Sequence, residues 1–161
     1  MRTSLKIATI LTWINLIIWG LISFLGILAS FMASNAAPLI ISFLMGAIVL
    51  HSYAALQLHK SIRNPAVPLS NQTPVGIRFI GFVALFFGVL YIGDGIAVLQ
   101  NAKEFMKMLQ PYMGPQPKNF NPTAFVRGMG GFFLLAGASI VINVILNIRL
   151  LRWYFLMKGV V

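Results

Sequence analysis

The stretch from Arg78 to Gln100 decides the fold: R-F-I-G-F-V-A-L-F-F-G-V-L-Y-I-G-D-G-I-A-V-L-Q. As a helix it spans roughly 35 Å at ~1.5 Å per residue. That length crosses a hydrocarbon core of ~30 Å. Past Arg78 its one charge is Asp94, held between Gly93 and Gly95. Asp94 and Glu104 are the 2 acidic residues of the whole 161-residue chain.

The surrounding sequence repeats the pattern. No Asp, Glu, Lys or Arg occurs from Ile7 through His59. A single helix of that run would be roughly 80 Å long at ~1.5 Å per residue, so the chain must fold back once. A further apolar block lies between Arg127 and Arg149. With 59% hydrophobic and 9% charged residues, the chain lacks the roughly 25% charged content of a soluble domain. The reading is all-α: a single membrane domain over 1–161, an integral membrane bundle of four transmembrane helices at about 7–31, 38–58, 75–100 and 124–148.

The connections follow from turn chemistry. Ser34-Asn35-Ala36-Ala37-Pro38 is expected as the first turn, with Pro38 at the first position of the second helix. Asn64 to Pro74 carries Pro65, Pro68 and Pro74 and is expected to be an extended loop. Thr73-Pro74 then reads as an N-cap and first-turn proline. Asn101 and Glu104 have capping-box spacing. They predict a short amphipathic helix, Asn101 to Gln110, in the outer loop between the third and fourth helices. Phe105, Met106, Met108 and Leu109 are then available to lipid or protein, and Pro111 ends the helix. Trp153, Tyr154 and Phe155 form an aromatic belt beyond the fourth helix.

Charge sets the expected orientation. The net charge is +10, and the basic residues sit at the ends of apolar blocks rather than in an aromatic-interleaved stretch. The reading is therefore lipid and topology, not nucleic acid. Arg2, Lys6, Lys60, Arg63, Arg78, Arg149, Arg152 and Lys158 fall on one side, against Lys103, Lys107, Lys118 and Arg127 on the other. The larger set predicts cytoplasmic N- and C-termini in the cell membrane, facing anionic headgroups. The apolar start is too long for a signal-peptide core and is read as an uncleaved helix.

Three groups of residues are candidates for function. Gly81, Gly88 and Gly95 recur every seven residues, and Gly130 and Gly137 repeat the spacing. Small residues allow close helix approach, so these positions are expected as a packing face, within the monomer or toward a partner. Asn15, His51, Asn143 and Asn147 lie at membrane depth and are expected to meet in the inner half of the bundle. They would form interhelical hydrogen bonds or a proton or substrate site. Asp94 lies roughly 9 Å from the outer end of its helix at ~1.5 Å per residue, with Arg127 and Lys103 as expected ionic partners.

Catalytic patterns are lacking. No paired carboxylates, metal-ligand spacing, G-x-S-x-G, H-E-x-x-H or P-loop appears in the sequence. There is no cysteine, hence no disulfide or thiolate site. The expectation is a protein without enzymatic activity, cofactor or metal. It would serve as an accessory, scaffold or assembly component, or alternatively as a transporter or channel subunit acting as a homo-oligomer.

Overall fold

A computed structural model describes residues 2–34, 36–115, 117 and 120–159. Asn35 of the expected first turn and Lys118 of the smaller basic set lie outside the described residues. The helices are α1 (Arg2–Ala33), α2 (Ala36–Arg63), α3 (Thr73–Gln100), α4 (Ala102–Leu109) and α5 (Pro122–Lys158). No strand occurs among the described residues. The four helices α1, α2, α3 and α5 are long and apolar enough to cross a membrane.

These helices run past their apolar blocks. α1 begins at Arg2 rather than near Ile7, α2 continues to Arg63, and α5 extends ten residues beyond Ile148. Lysine and arginine are good helix formers, so a basic residue marks a change of solvent without ending a helix. Trp153, Tyr154 and Phe155 are accordingly helical. Pro38 is the third residue of α2, not the first.

The caps also differ from expectation. Thr73 is the first residue of α3, and its hydroxyl donates to Gln57 Oε1 on α2 at 2.8 Å instead of capping. Asn101 precedes α4 without a side-chain cap, and its amide donates back to the Ala97 carbonyl at 3.2 Å. A cap does form at α5: Asn121 Oδ1 accepts from the Ala124 amide at 3.0 Å. Pro122 follows as first residue, and Phe120 packs on Phe125 with ring centroids 5.6 Å apart. Cap, first-turn proline and flanking apolar pair are the elements of a stapled helix start.

The chain forms two compact units, Met1–Phe86 with Ser139–Val161, and Phe87–Ala138. In the first, the core joins Ala8, Ala54, Leu58, Ile77, Leu150 and Leu151. In the second, Val98, Ala102 and Val126 are covered by Phe105, Met106 and Leu109 of α4, while Met108 points outward.

Glycine sets the approach of α3 to α5 in the second unit. A Cβ on Gly137 would lie 2.6 Å from the Gly88 carbonyl oxygen and 2.8 Å from the Ile92 nitrogen. One on Gly95 would lie 2.7 Å from the Leu134 nitrogen and 2.8 Å from the Gly130 carbonyl. Backbone meets backbone at both places, so no larger residue fits without moving a helix.

The apolar surface is mostly on the outside. Only 17–33% of each long apolar window is buried within the protein. Ile10, Ile17, Phe43, Phe82 and Leu135 are all exposed. Soluble monomers rarely show contiguous apolar patches beyond a few hundred Å². An apolar surround is the setting in which such a shell costs nothing.

Two glycines test the seam. Gly137→Ala is expected to destabilise by about 1–3 kcal/mol through overpacking. Gly93, with nothing near its absent Cβ, should accept alanine with no loss and up to ~1 kcal/mol of gain. Unfolding of the purified variants in detergent measures both; equal midpoints for the two would contradict the close approach.

Candidate functional site

Helix periodicity places Thr9, Thr12 and Asn15 along one side of α1, and Ser139, Asn143 and Asn147 along one side of α5. His59 and Arg63 are one turn apart on α2. All belong to the first compact unit. They meet along one polar seam as two hydrogen-bonded groups, Asn15 with Ser139, and Thr9, Thr12, His59, Arg63, Asn143 and Asn147.

Asn143 and Asn147 form its centre. The Asn147 amide donates to the Asn143 carbonyl at 2.8 Å and to Asn143 Oδ1 at 2.9 Å. The Thr12 hydroxyl donates to the same Oδ1 at 2.8 Å. Asn147 Oδ1 lies 2.7 Å from His59 Nε2. With this amide orientation the oxygen can only accept, so Nε2 carries the hydrogen. On its other side His59 Nδ1 is 3.3 Å from Thr9 Oγ1. Thr9 in turn accepts from Arg63 Nη2 at 2.9 Å. Deeper along α1 and α5, Ser139 donates to Asn15 Oδ1 at 3.3 Å and the Asn15 amide to the Ser139 carbonyl at 3.4 Å.

Asn15, Asn143 and Asn147 are therefore brought to one seam, as their depth suggested. His51 is not among them; His59 takes the place expected of it. The missed members are Thr9, Thr12, His59 and Arg63. Thr12 carried a readable signal, because it precedes Asn15 by three residues on the same face. His59 precedes Lys60 beyond the expected end of the second helix, yet it is 2% exposed. It lies between Thr9 of α1 and Asn147 of α5.

His51 sits elsewhere in the same unit. It is 1% exposed, and neither ring nitrogen forms a hydrogen bond of good geometry among the described residues. The Gly76 backbone is a polar neighbour of the ring. Nδ1 would be 2.8 Å from a Cβ on Gly81, so the imidazole occupies space that this glycine leaves open. Gly76 to Ile80 form a π-helical turn just before Gly81. Such turns often occur at functional positions.

Chemically the seam is an anchor rather than a relay. Donation runs from His59 to Asn147 and from Asn147 and Thr12 into Asn143, where it ends on an acceptor. Carboxamides do not pass protons on at neutral pH, so two consecutive asparagines interrupt any conduction path. No cluster of three or more metal-ligating side chains occurs among the described residues.

In the second unit, Asp94 is exposed on α3 and forms no ion pair among the described residues. Arg127 instead lines a small cleft of about 220 Å³ with Leu99, Asn101, Lys103 and Glu104. Next to Asp94 on the helix surface, Tyr91 stacks on Phe133 with centroids 5.7 Å apart.

A double-mutant cycle tests the seam. Thr12→Val and Asn143→Leu are each expected to destabilise by ~1–3 kcal/mol, the range for leaving a buried polar partner unsatisfied. Their coupling in detergent unfolding should be ~0.6–2 kcal/mol; additive effects would remove Thr12–Asn143 from the network. No family model matches this chain, and neither does any curated protein or solved structure.

Proposed function

We propose that the chain is a non-enzymatic integral membrane protein that serves as an accessory, scaffold or assembly component. The observation that carries this reading is the contrast between its polar groups. Those of the seam are spent on one another, whereas the exposed Asp94 has no ionic partner among the described residues. A carboxylate at membrane depth is costly. It is least costly when a donor from another helix meets it. The reading assigns that donor to a partner protein or a second copy, docked on the Asp94 side of α3.

The protein sits in the cell membrane with both termini cytoplasmic and α4 at the outer surface. The eight basic residues from Arg2 to Lys158 face anionic headgroups. Excess lysine and arginine on one side of the spans supports this orientation.

His51 favours a second reading, a transporter or channel subunit formed by homo-oligomers. A buried imidazole beside a π-turn, its two nitrogens forming no hydrogen bond of good geometry among the described residues, is a group available to bind something.

Affinity purification in mild detergent distinguishes the two. Under the assembly reading the chain retains a stoichiometric partner, and Asp94→Asn loses it at least tenfold while its own unfolding midpoint stays within ~0.5 kcal/mol of the parent. A homogeneous homo-oligomer whose transport is abolished by His51→Gln would support the second reading. The orientation has its own check. The sequence has no cysteine, so Ser70→Cys and Tyr112→Cys report directly in intact cells. Only Tyr112→Cys should react with an impermeant maleimide; labelling of both from outside would overturn the topology.

A further inference from the structure

The first compact unit holds eight lysines and arginines and no aspartate or glutamate. Its cations must find other partners, and several do so within the chain. Arg63 donates to Thr9, Lys158 lies 3.5 Å from the Pro65 carbonyl, and Arg78 stands 5.8 Å over the Phe155 ring. Among the described residues Arg2, Lys6, Lys60, Arg149 and Arg152 do not, and of these Arg149 and Arg152 line one groove. Both are exposed, and neither forms a hydrogen bond or ion pair among the described residues.

The groove has a volume of about 390 Å³, and its other walls include Ser4 of α1 and Leu146, Leu150 and Trp153 of α5. Arg149 and Arg152 are three apart on a helix, which sets their Cβ atoms ~5–6 Å from each other. Guanidinium groups at that spacing can share the oxygens of one phosphate, each through paired N–H donors. The Ser4 hydroxyl adds a neutral donor or acceptor at the groove's edge. Leu146 lies one turn from Arg149 toward the apolar middle of α5, and Trp153 is half-buried beside them. The groove is thus polar and cationic at one end and apolar toward the span.

We infer that this groove is a selective site for an anionic phospholipid. The phosphate is held by Arg149 and Arg152, and the upper acyl chain lies against Leu146, Leu150 and the Trp153 ring. A free phosphate would match the arginines but leave the leucine wall uncovered. A zwitterionic lipid would bring its own ammonium against two guanidiniums with no carboxylate nearby to receive it. Charge complementarity and the apolar wall together select a lipid of net negative charge. The site rests on the membrane reading above, and it adds selectivity at one place to a general attraction between a basic face and acidic lipid.

Native mass spectrometry of the detergent-purified full chain tests it, with equimolar phosphatidylglycerol and phosphatidylcholine supplied. The parent is expected to retain one phosphatidylglycerol in roughly tenfold preference, consistent with two basic residues acting on one headgroup. Arg149→Gln with Arg152→Gln should bring the ratio close to one. Arg149→Lys with Arg152→Lys should keep a preference of a few fold. Lys6→Gln with Lys60→Gln removes the same charge from the same unit outside the groove and should leave the preference intact. Equal retention of both lipids by the parent overturns the site. So does an equal loss of preference in the Lys6/Lys60 variant, which would assign the effect to overall charge. Release of the bound lipid by millimolar inorganic phosphate would assign the arginines to a free anion and also overturn it. Carbonate washing of membranes containing the parent separates the two levels: a protein that stays in the pellet yet shows no lipid preference loses the site alone, and one released to the supernatant loses the membrane reading as well.

Discussion

An amide side chain surrounded by apolar atoms has no water to bond, and its own protein must supply the partner. Asn143 and Asn147 meet this constraint on one face of α5, and the first compact unit is arranged around their solution. Thr12 must lie against Asn143, and His59 against Asn147. Those two contacts fix the rotation of α1 and α2 about their axes. Hydrocarbon gives packed leucines little reason to prefer one rotation over another, since lipid tails are equally apolar. Directional bonds supply the preference. A slip of one residue along α1 would carry Thr12 about 100° around the helix and leave buried acceptors empty.

The second unit reaches the same end by a different means. Between Gly88 and Gly137, and between Gly95 and Gly130, helix backbones approach so closely that a side chain is excluded. Close approach gains dispersion over a long contact, with no side-chain entropy lost at the glycines. The approach is available only where glycines face each other, so it too selects one register. Polar bonding and glycine contact thus specify what apolar burial cannot specify in lipid.

Much of this was legible in sequence, because the signals were chemical rather than positional. Long uncharged runs gave the number of apolar helices, and the seven-residue glycine spacing marked Gly88, Gly95, Gly130 and Gly137, which sit against backbone, whereas Gly81 of the same spacing faces the His51 ring. Asn143 and Asn147, four apart, announced a polar face. The failures share a cause. Apolar blocks mark the helices but not their ends, because lysine and arginine propagate a helix well, and so the block that stops before Lys60 does not reveal that His59 is buried. The Thr73 hydroxyl and the Asn101 amide were assigned to caps, but each found a stronger local partner, Gln57 on a neighbouring helix and Ala97 on the preceding turn. No one-dimensional pattern reveals such competition. Nor could it reveal that His51 would pack into the space left by Gly81 rather than join the asparagines.

His51 and Asp94 then stand out because the rule that organises everything around them does not cover them. A group that satisfies itself inside the fold explains its own presence through stability. A buried imidazole that forms no hydrogen bond of good geometry, or a carboxylate on an outward helix face without a cation, lowers stability and needs another reason to be tolerated. The two differ in what could supply it. His51 is enclosed among atoms of its own unit, so any partner must enter the protein or be a water within it. Asp94 already faces outward, so its partner needs only to dock. Docking requires no cavity and no conformational opening. That asymmetry is the ground on which the proposed assembly role is preferred to transport.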